Sequence, residues 1–215
     1  IDLWKSHRSR TVPHAIVYVD GFNLFYRLLR GTPFRWLNLS SLFTAMLPAH
    51  TVQSIYYFTA HVKSDPTDRD KPIRQGLYLR ALGTLPEVSI IKGYYLRTKV
   101  WARPVAGPPN VQVWKSEEKG SDVNIATQML LDAHAGITDV IVVVSNDTDL
   151  VNPMLAVRDQ LGKHVLLLSP VTNPNAKLVA ASSSTQTLLP IHVAAHQFPT
   201  LLTDAKGTFH KPSTW

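Results

Sequence analysis

The sequence predicts an α/β protein with a largely parallel central sheet, on three observations. Residues 140–144 (V-I-V-V-V) form a continuous apolar run that stops in S-N-D-T-D. A strand without polar alternation belongs inside a parallel sheet covered by helices on both faces. Residues 15–19 (A-I-V-Y-V) form a second such run and also end in a carboxylate, Asp20. Apolar runs then alternate with helical spacings across short connections, the grammar of βαβ units. In open sheets of this kind ligands bind at the carboxyl ends of the strands. Asp20, Asp147 and Asp149 therefore stand where chemistry is expected.

In chain order, Lys5, His7, Arg8 and Arg10 mark a basic extension over residues 1–14, without the apolar stretch of a signal peptide. After the first strand, Phe22, Phe25, Tyr26 and Leu29 recur at helical spacing until Gly31 and Pro33. Asn38 is placed to cap a helix over residues 39–47, closed by Pro48. Residues 52–62, rich in Ile, Tyr, Phe, Thr and Val, predict a strand. Residues 63–71 are charged and contain Pro66, so they predict a solvated loop; a helix over 72–85 and a strand over 88–96 follow. From 97 to 114 the pattern breaks into a basic, aromatic, Pro-rich connection, a hairpin-like excursion with its tip at 106–110. Ser121 is placed to cap a helix over 122–135, ended by Gly136. Beyond the central strand come a helix over 150–161, a strand over 165–168, a small helix over 175–181 and an edge strand over 185–189. No repeat and no break in composition divides the chain, which predicts one domain over 15–190 and a tail over 191–215 packing on or near it.

Composition narrows the chemistry. A chain of 215 residues with 45% hydrophobic content can bury a proper core. No apolar run approaches the roughly 20 residues of a membrane span, so a soluble, cytoplasmic protein is expected. Cys is absent, which excludes disulfides, thiolate metal sites and a cysteine nucleophile; the histidines form no zinc-binding spacing. A net charge of +7 points to a polyanionic partner, nucleic acid first.

Each acidic residue has an ordinary structural role open to it. Asp20-Gly21 could be a turn, Asp122 a first-turn carboxylate, Asp147 an N-cap and Asp149 its first-turn neighbour. All four, however, converge on the carboxyl edge of the sheet, where clustered carboxylates repel one another unless a cation holds them. Oxygen-only ligands select Mg²⁺ or Mn²⁺, and such an ion supports hydrolysis of a phosphodiester without a protein nucleophile. Neither GxGxxG nor GxxxxGK[ST] occurs. Asp147-Thr148-Asp149 superficially matches a phosphatase DxD strand motif, but the residues that follow do not continue it.

V-D-G-F-N (residues 19–23), K-G-S-D-V-N-I-A (119–126) and S-N-D-T-D-L (145–150) resemble, in order and spacing, the three acidic motifs of NYN domains, LabA-like branch, in the PIN-like nuclease superfamily. The end of the chain, Q-F-P-x-L-L-x-D-x-x-G-x-x-x-K-P-x-x-W, is similar to a tail common in that branch. The resemblance implies a PIN-like three-layer α/β/α sandwich and metal-dependent ribonuclease activity. It assigns Asp20, Asp122, Asp147 and Asp149 to the metal site and to catalysis. Asn23 would help orient Asp20, and Ser145 and Thr148 would position water. Two positions depart from the pattern: Asn146 replaces a common Gly, and Gln128 replaces a second acidic residue of the helix. They sustain the alternative of a nucleic-acid-binding or regulatory module with little catalysis.

Lys92, Arg97, Lys99, Arg103, Lys115 and Lys119 cluster ahead of the acidic helix, opposed only by Glu117 and Glu118. Tyr94, Tyr95, Trp101 and Trp114 are interleaved, offering stacking surfaces beside phosphate-binding cations. Single-stranded RNA is the expected partner, with DNA an alternative and self-association left open. Lys99 and Lys119 are the leading single residues. His61, Arg69, Lys71 and Arg74 form a second basic group, diluted by Asp65, Asp68 and Asp70.

Overall fold

The computed structural model describes residues 12–64 and 67–215. The basic extension expected over 1–14 therefore lies, for its first eleven residues, outside the described residues. Six strands form one parallel sheet: β1 (His14–Asp20), β2 (Thr51–Thr59), β3 (Val88–Lys92), β6 (Val140–Val144), β7 (His164–Ser169) and β8 (Ser184–Thr187), in the order β3-β2-β1-β6-β7-β8. The expected α/β sandwich with a parallel centre is what the chain adopts.

The apolar runs are two-faced for a visible reason. Ala15, Val17 and Val19 enter one core with Val140, Val142 and Val144, whereas Ile16 and Tyr18 enter the other with Ile141 and Val143. Side chains alternate along a strand, so a run buried throughout must face two apolar layers. The first layer holds α1 (Gly21–Leu24), continued by a π-helical stretch (Phe25–Leu29), with α2 (Leu39–Met46), α3 (Lys71–Leu82) and α7 (Pro190–Ala195). The second holds α4 (Ser121–Ala135), α5 (Val151–Leu155) with its π-helical continuation (Ala156–Gln160), and α6 (Ala176–Ala181). Asn38 caps α2 as expected, its side chain accepting from the Ser41 N–H at 3.0 Å.

Two expectations need correction. The strand expected over 88–96 is two strands: β3 leaves the sheet at Gly93, and β4 (Tyr94–Ala102) pairs antiparallel with β5 (Val111–Lys119) in a separate hairpin. A Cβ on Gly93 would lie 2.5 Å from the Lys119 carbonyl and 2.7 Å from the Glu118 carboxylate, so only glycine allows this crossing. Ser121 does not cap α4 but is its first residue, following Gly120; its backbone N–H and hydroxyl donate to Glu118 Oε1 at 3.2 and 2.7 Å.

Residues 197–215 complete the first layer. Trp36 is fully buried among the rings of Tyr78, Phe198, Phe209 and Trp215, and its Nε1 donates to the Pro199 carbonyl at 2.9 Å. Truncating an aromatic so enclosed costs about 3–5 kcal/mol. The short hairpin β9 (Leu201–Asp204) and β10 (Gly207–His210) is tied to α3 by Arg80, which grips Asp204 at 2.6 and 2.8 Å and lies over the Phe209 ring. Among the described residues, no helix is long and apolar enough to cross a membrane.

Candidate metal centre

The sheet order reverses between β1 and β6, and the crevice at the carboxyl ends of those two strands is where such sheets bind ligands. Asp20 is the last residue of β1 and only 5% exposed. Its Oδ1 accepts from the Asn23 N–H at 2.9 Å and its Oδ2 from the Ser145 hydroxyl at 2.9 Å. Ser145, just past β6 and fully buried, also accepts at Oγ from the Asp147 N–H at 3.0 Å. One hydroxyl therefore ties the ends of the two central strands together. Asp147 caps the 3₁₀ turn Thr148–Leu150, with Oδ1 accepting from the Asp149 N–H at 3.0 Å. Asp122 enters from the first turn of α4.

Asp20, Asp122 and Asp147 each present a carboxylate oxygen within 4.8 Å of the other two. Burial pushes the Asp20 carboxyl up, with Asp147 and Glu118 adding to the rise against the hydrogen bonds from Asn23 and Ser145. Burial first, then the charges of Asp147, Asp20, Glu118 and Asp149, raise Asp122 to about 6. Three partly desolvated carboxylates in mutual repulsion are an unbalanced charge that a hard divalent cation would relieve, and an all-oxygen donor set suits Mg²⁺ or Mn²⁺. The residues fit such an ion.

Other residues singled out in the sequence fall into place unevenly. Asp149 is exposed and lies outside the group of three, near enough for its charge to reach Asp122. Thr148 is exposed at the start of the same turn. Asn23 orients Asp20 through its backbone N–H, whereas its side-chain oxygen accepts from the Asn146 N–H at 3.0 Å and fixes the loop after β6. Asn146 in turn accepts from the Asn175 N–H at 2.8 Å, joining that loop to the start of α6, a bond glycine could not make. Gln128 turns to Asp132, donating at 2.9 Å, and Asp132 accepts from the buried Tyr18 hydroxyl at 2.7 Å. Both departures from the motif thus have structural work.

Glu118 was missed as part of the acidic centre. Counted from sequence as a diluent of the basic cluster, it lies at the foot of the hairpin, where its charge is felt by Asp20 and Asp122. Its place directly before K-G-S-D is the signal that could have found it.

The hairpin divides the basic cluster. Lys99 pairs across the strands with Trp114, Arg97 with residue 116, and Tyr95 with Glu118, so alternation puts Tyr95, Arg97, Lys99, Trp101, Trp114 and Glu118 on one face. There Arg97 and Lys99 lie 4.5 and 5.0 Å from the Trp114 ring centre, and Tyr95 meets Phe22 edge-on at 5.9 Å, two residues past Asp20. Lys115 and Lys119 occupy the opposite face, both paired with Glu117. The single cluster expected from sequence is two, and Lys119 is separated from Lys99. Arg103 is exposed beyond the end of β4.

A family model described as NYN domain matches residues 14–189. The chain is 31% identical to a protein from Pseudomonas putida named 6-hydroxy-3-succinoylpyridine 3-monooxygenase HspA, over 238 aligned positions that cover 93% of this chain and 74% of that relative. It is similar in structure to a protein of unknown function from Vibrio parahaemolyticus, with a TM-score of 0.57 and 14% identity over 85% of this chain and 96% of that one, a likeness of fold.

Proposed function

The chain belongs to the NYN domain family, a family of PIN-like nucleases, and on that premise we propose that it is a metal-dependent ribonuclease acting on single-stranded RNA. The observation that carries this reading is the set of three carboxylates, from β1, α4 and the loop after β6, converging within 4.8 Å at the switch point of the sheet. Asp20, Asp122 and Asp147 would hold one or two Mg²⁺ or Mn²⁺ ions, with Asp149 and Glu118 at the rim. When bound, such an ion lowers the pKa of water and neutralises charge on a phosphoryl group. Ser145 and the Asn23 N–H hold Asp20 in one orientation, and Asp147 is held by the turn that it caps. Arg97 and Lys99 take phosphates while Trp101, 68% exposed, and Trp114, 55% exposed, receive unpaired bases. Arg103 extends that path; Lys115 and Lys119, tied to Glu117, contribute less. The three acidic motifs and the tail pattern support the LabA-like branch, and a cytoplasmic setting goes with the substrate.

The test is cleavage of end-labelled single-stranded RNA and DNA by the purified protein with Mn²⁺, beside an EDTA control and Asp20→Asn. Metal-dependent RNA cleavage lost in the variant is expected. RNA bound but uncut by the wild type would leave the nucleic-acid-binding module instead.

The Pseudomonas putida relative favours a second reading, hydroxylation of a small heteroaromatic acid, because the likeness runs through 93% of the chain. Incubation with 6-hydroxy-3-succinoylpyridine, dioxygen and a two-electron reductant, followed by mass spectrometry of the products, separates it from the nuclease. An oxygenated product that persists without RNA cleavage would replace the first reading.

A further inference from the structure

A cavity of about 360 Å³ opens on the far side of the Asp20-Gly21 turn, between the α1 region and α3. It lies near the small end of the range for ligand sites, room for one ring system and a short arm. Among the described residues six aromatic side chains line it: Phe22, Phe25, Tyr26, Tyr57, Tyr78 and Trp215. The π-helical stretch Phe25–Leu29 forms one wall; such widened turns recur at functional sites because they re-aim side chains out of the regular helical register.

The charge of the described lining is one-sided. Among the described residues, Arg30, Arg35, Lys71 and Arg74 face the cavity with one carboxylate, Asp68, which pairs with Arg74. Arg35 is oriented by the Thr32 and Thr214 carbonyls at 3.0 and 2.6 Å and lies 5.5 Å from the Trp215 ring centre. Burial and the charge of Arg74 both lower its pKa, Asp68 opposing, so the two guanidiniums are close enough to repel. An anion between them would relieve that repulsion, and the flanking rings would hold a planar group by stacking.

The cavity and the acidic crevice share one partition. A Cβ on Gly21 would come within 2.7 Å of the Tyr57 hydroxyl, so glycine lets that ring lie against the turn after Asp20. Burial, with the Asp20 charge adding, pushes the Tyr57 hydroxyl well above its ordinary pKa, which keeps it a neutral donor. Stacked Phe22 and Tyr26, 6.4 Å apart, continue from the hairpin's Tyr95 to the cavity wall.

We infer that this cavity is a binding site for one planar aromatic ring carrying an anionic group. The ligand is a free heteroaromatic acid or the terminal nucleotide of an RNA; both present the same ring and charge. The site does not depend on the acidic centre, so it stands whether or not the chain proves to be a nuclease.

Isothermal titration of the full chain in EDTA tests it, with uridine 5′-monophosphate and 6-hydroxynicotinate as probes and uridine and 2-pyridone as their neutral counterparts. EDTA removes any cation that could hold a phosphate at the acidic crevice. One anionic probe should saturate at one site and bind at least about tenfold tighter than its neutral counterpart. Arg35→Gln should weaken it about tenfold. Val62→Phe, which fills the cavity from a lining loop without changing charge, should do the same and guards against loss of fold in the first variant. Displacement of the probe by single-stranded RNA identifies the nucleotide source, and failure of displacement identifies a free acid. Saturation by neither probe, equal binding of neutral and anionic forms, or full binding by Val62→Phe overturns the inference.

Discussion

The crevice at the end of β1 and the hairpin beside it are built on opposite principles. In the crevice two of the three carboxylates are held by hydrogen bonds from groups in or next to a six-stranded sheet: Asp20 by the Asn23 N–H and the Ser145 hydroxyl, Asp147 by the N–H of the turn it caps. The hairpin is two strands that pair only with each other, and its rings and cations are largely exposed. A two-stranded ribbon is marginal on its own, so it can adjust, whereas the crevice cannot. On the proposed function the difference is a division of labour: the groups that would meet a cation within tenths of an ångström sit on the rigid edge, and those that would accept varied strands sit on the compliant ribbon.

Substitutions can break that contrast, and the largest effect is expected at the crevice. Asp20→Asn or Asp147→Asn should lower RNA cleavage by more than about 100-fold with little change in RNA affinity, read by separate cleavage and binding assays. Ser145→Ala, which frees Asp20 and removes the acceptor for the Asp147 N–H, should cost about 10–100-fold, as loss of groups that orient metal ligands commonly does. Unaltered cleavage in Ser145→Ala would show that the crevice tolerates looseness after all.

On the hairpin, Trp114→Ala should weaken RNA binding by about 1–3 kcal/mol and leave cleavage at saturating RNA unchanged. A fall in saturated cleavage would mean that the ribbon shapes the reacting geometry. Lys99→Ala should reduce the salt dependence of binding by about one counterion. Lys115→Ala, on the other face and paired with Glu117, should change affinity by no more than about 1 kcal/mol. Equal effects of the two lysines would erase the distinction between faces.

The smallest expected effect is on pH. The Asp122 carboxyl is raised from 3.8 to about 6, so between pH 4 and 6 the folded chain holds a proton that the unfolded chain releases. Without metal, stability should therefore fall as pH rises through that window. A bound cation competes with the proton, so the rise in melting temperature given by Mn²⁺ should be larger at pH 7 than at pH 5. A shift of equal size at both, followed by differential scanning fluorimetry, would remove Asp122 from the ligand set.

The sequence disclosed the two central strands because burial on both faces leaves no polar alternation, and it disclosed Asp20 and Asp147 because each closes such a run. It hid what depends on three-dimensional pairing. Nothing in V-S-I-I-K-G-Y-Y-L marks Gly93 as a crossing between sheets, since the backbone that excludes a Cβ there comes from residues 118 and 119. The split of the basic cluster required the register of Lys99 against Trp114, which composition does not contain. Glu118 read as a surface charge because it stands in the charged run K-S-E-E-K, while in the folded chain its charge reaches Asp20 and Asp122.

The bond from Trp36 to the Pro199 carbonyl spans 163 residues. During synthesis at roughly 5–20 residues per second, the indole emerges roughly 10–30 s before the segment that covers it. Until then Trp36 lacks the Phe198, Phe209 and Trp215 rings that pack on it, and the cavity lacks its Trp215 wall. The two layers therefore close in sequence, the α4–α6 side before the side that the last residues complete.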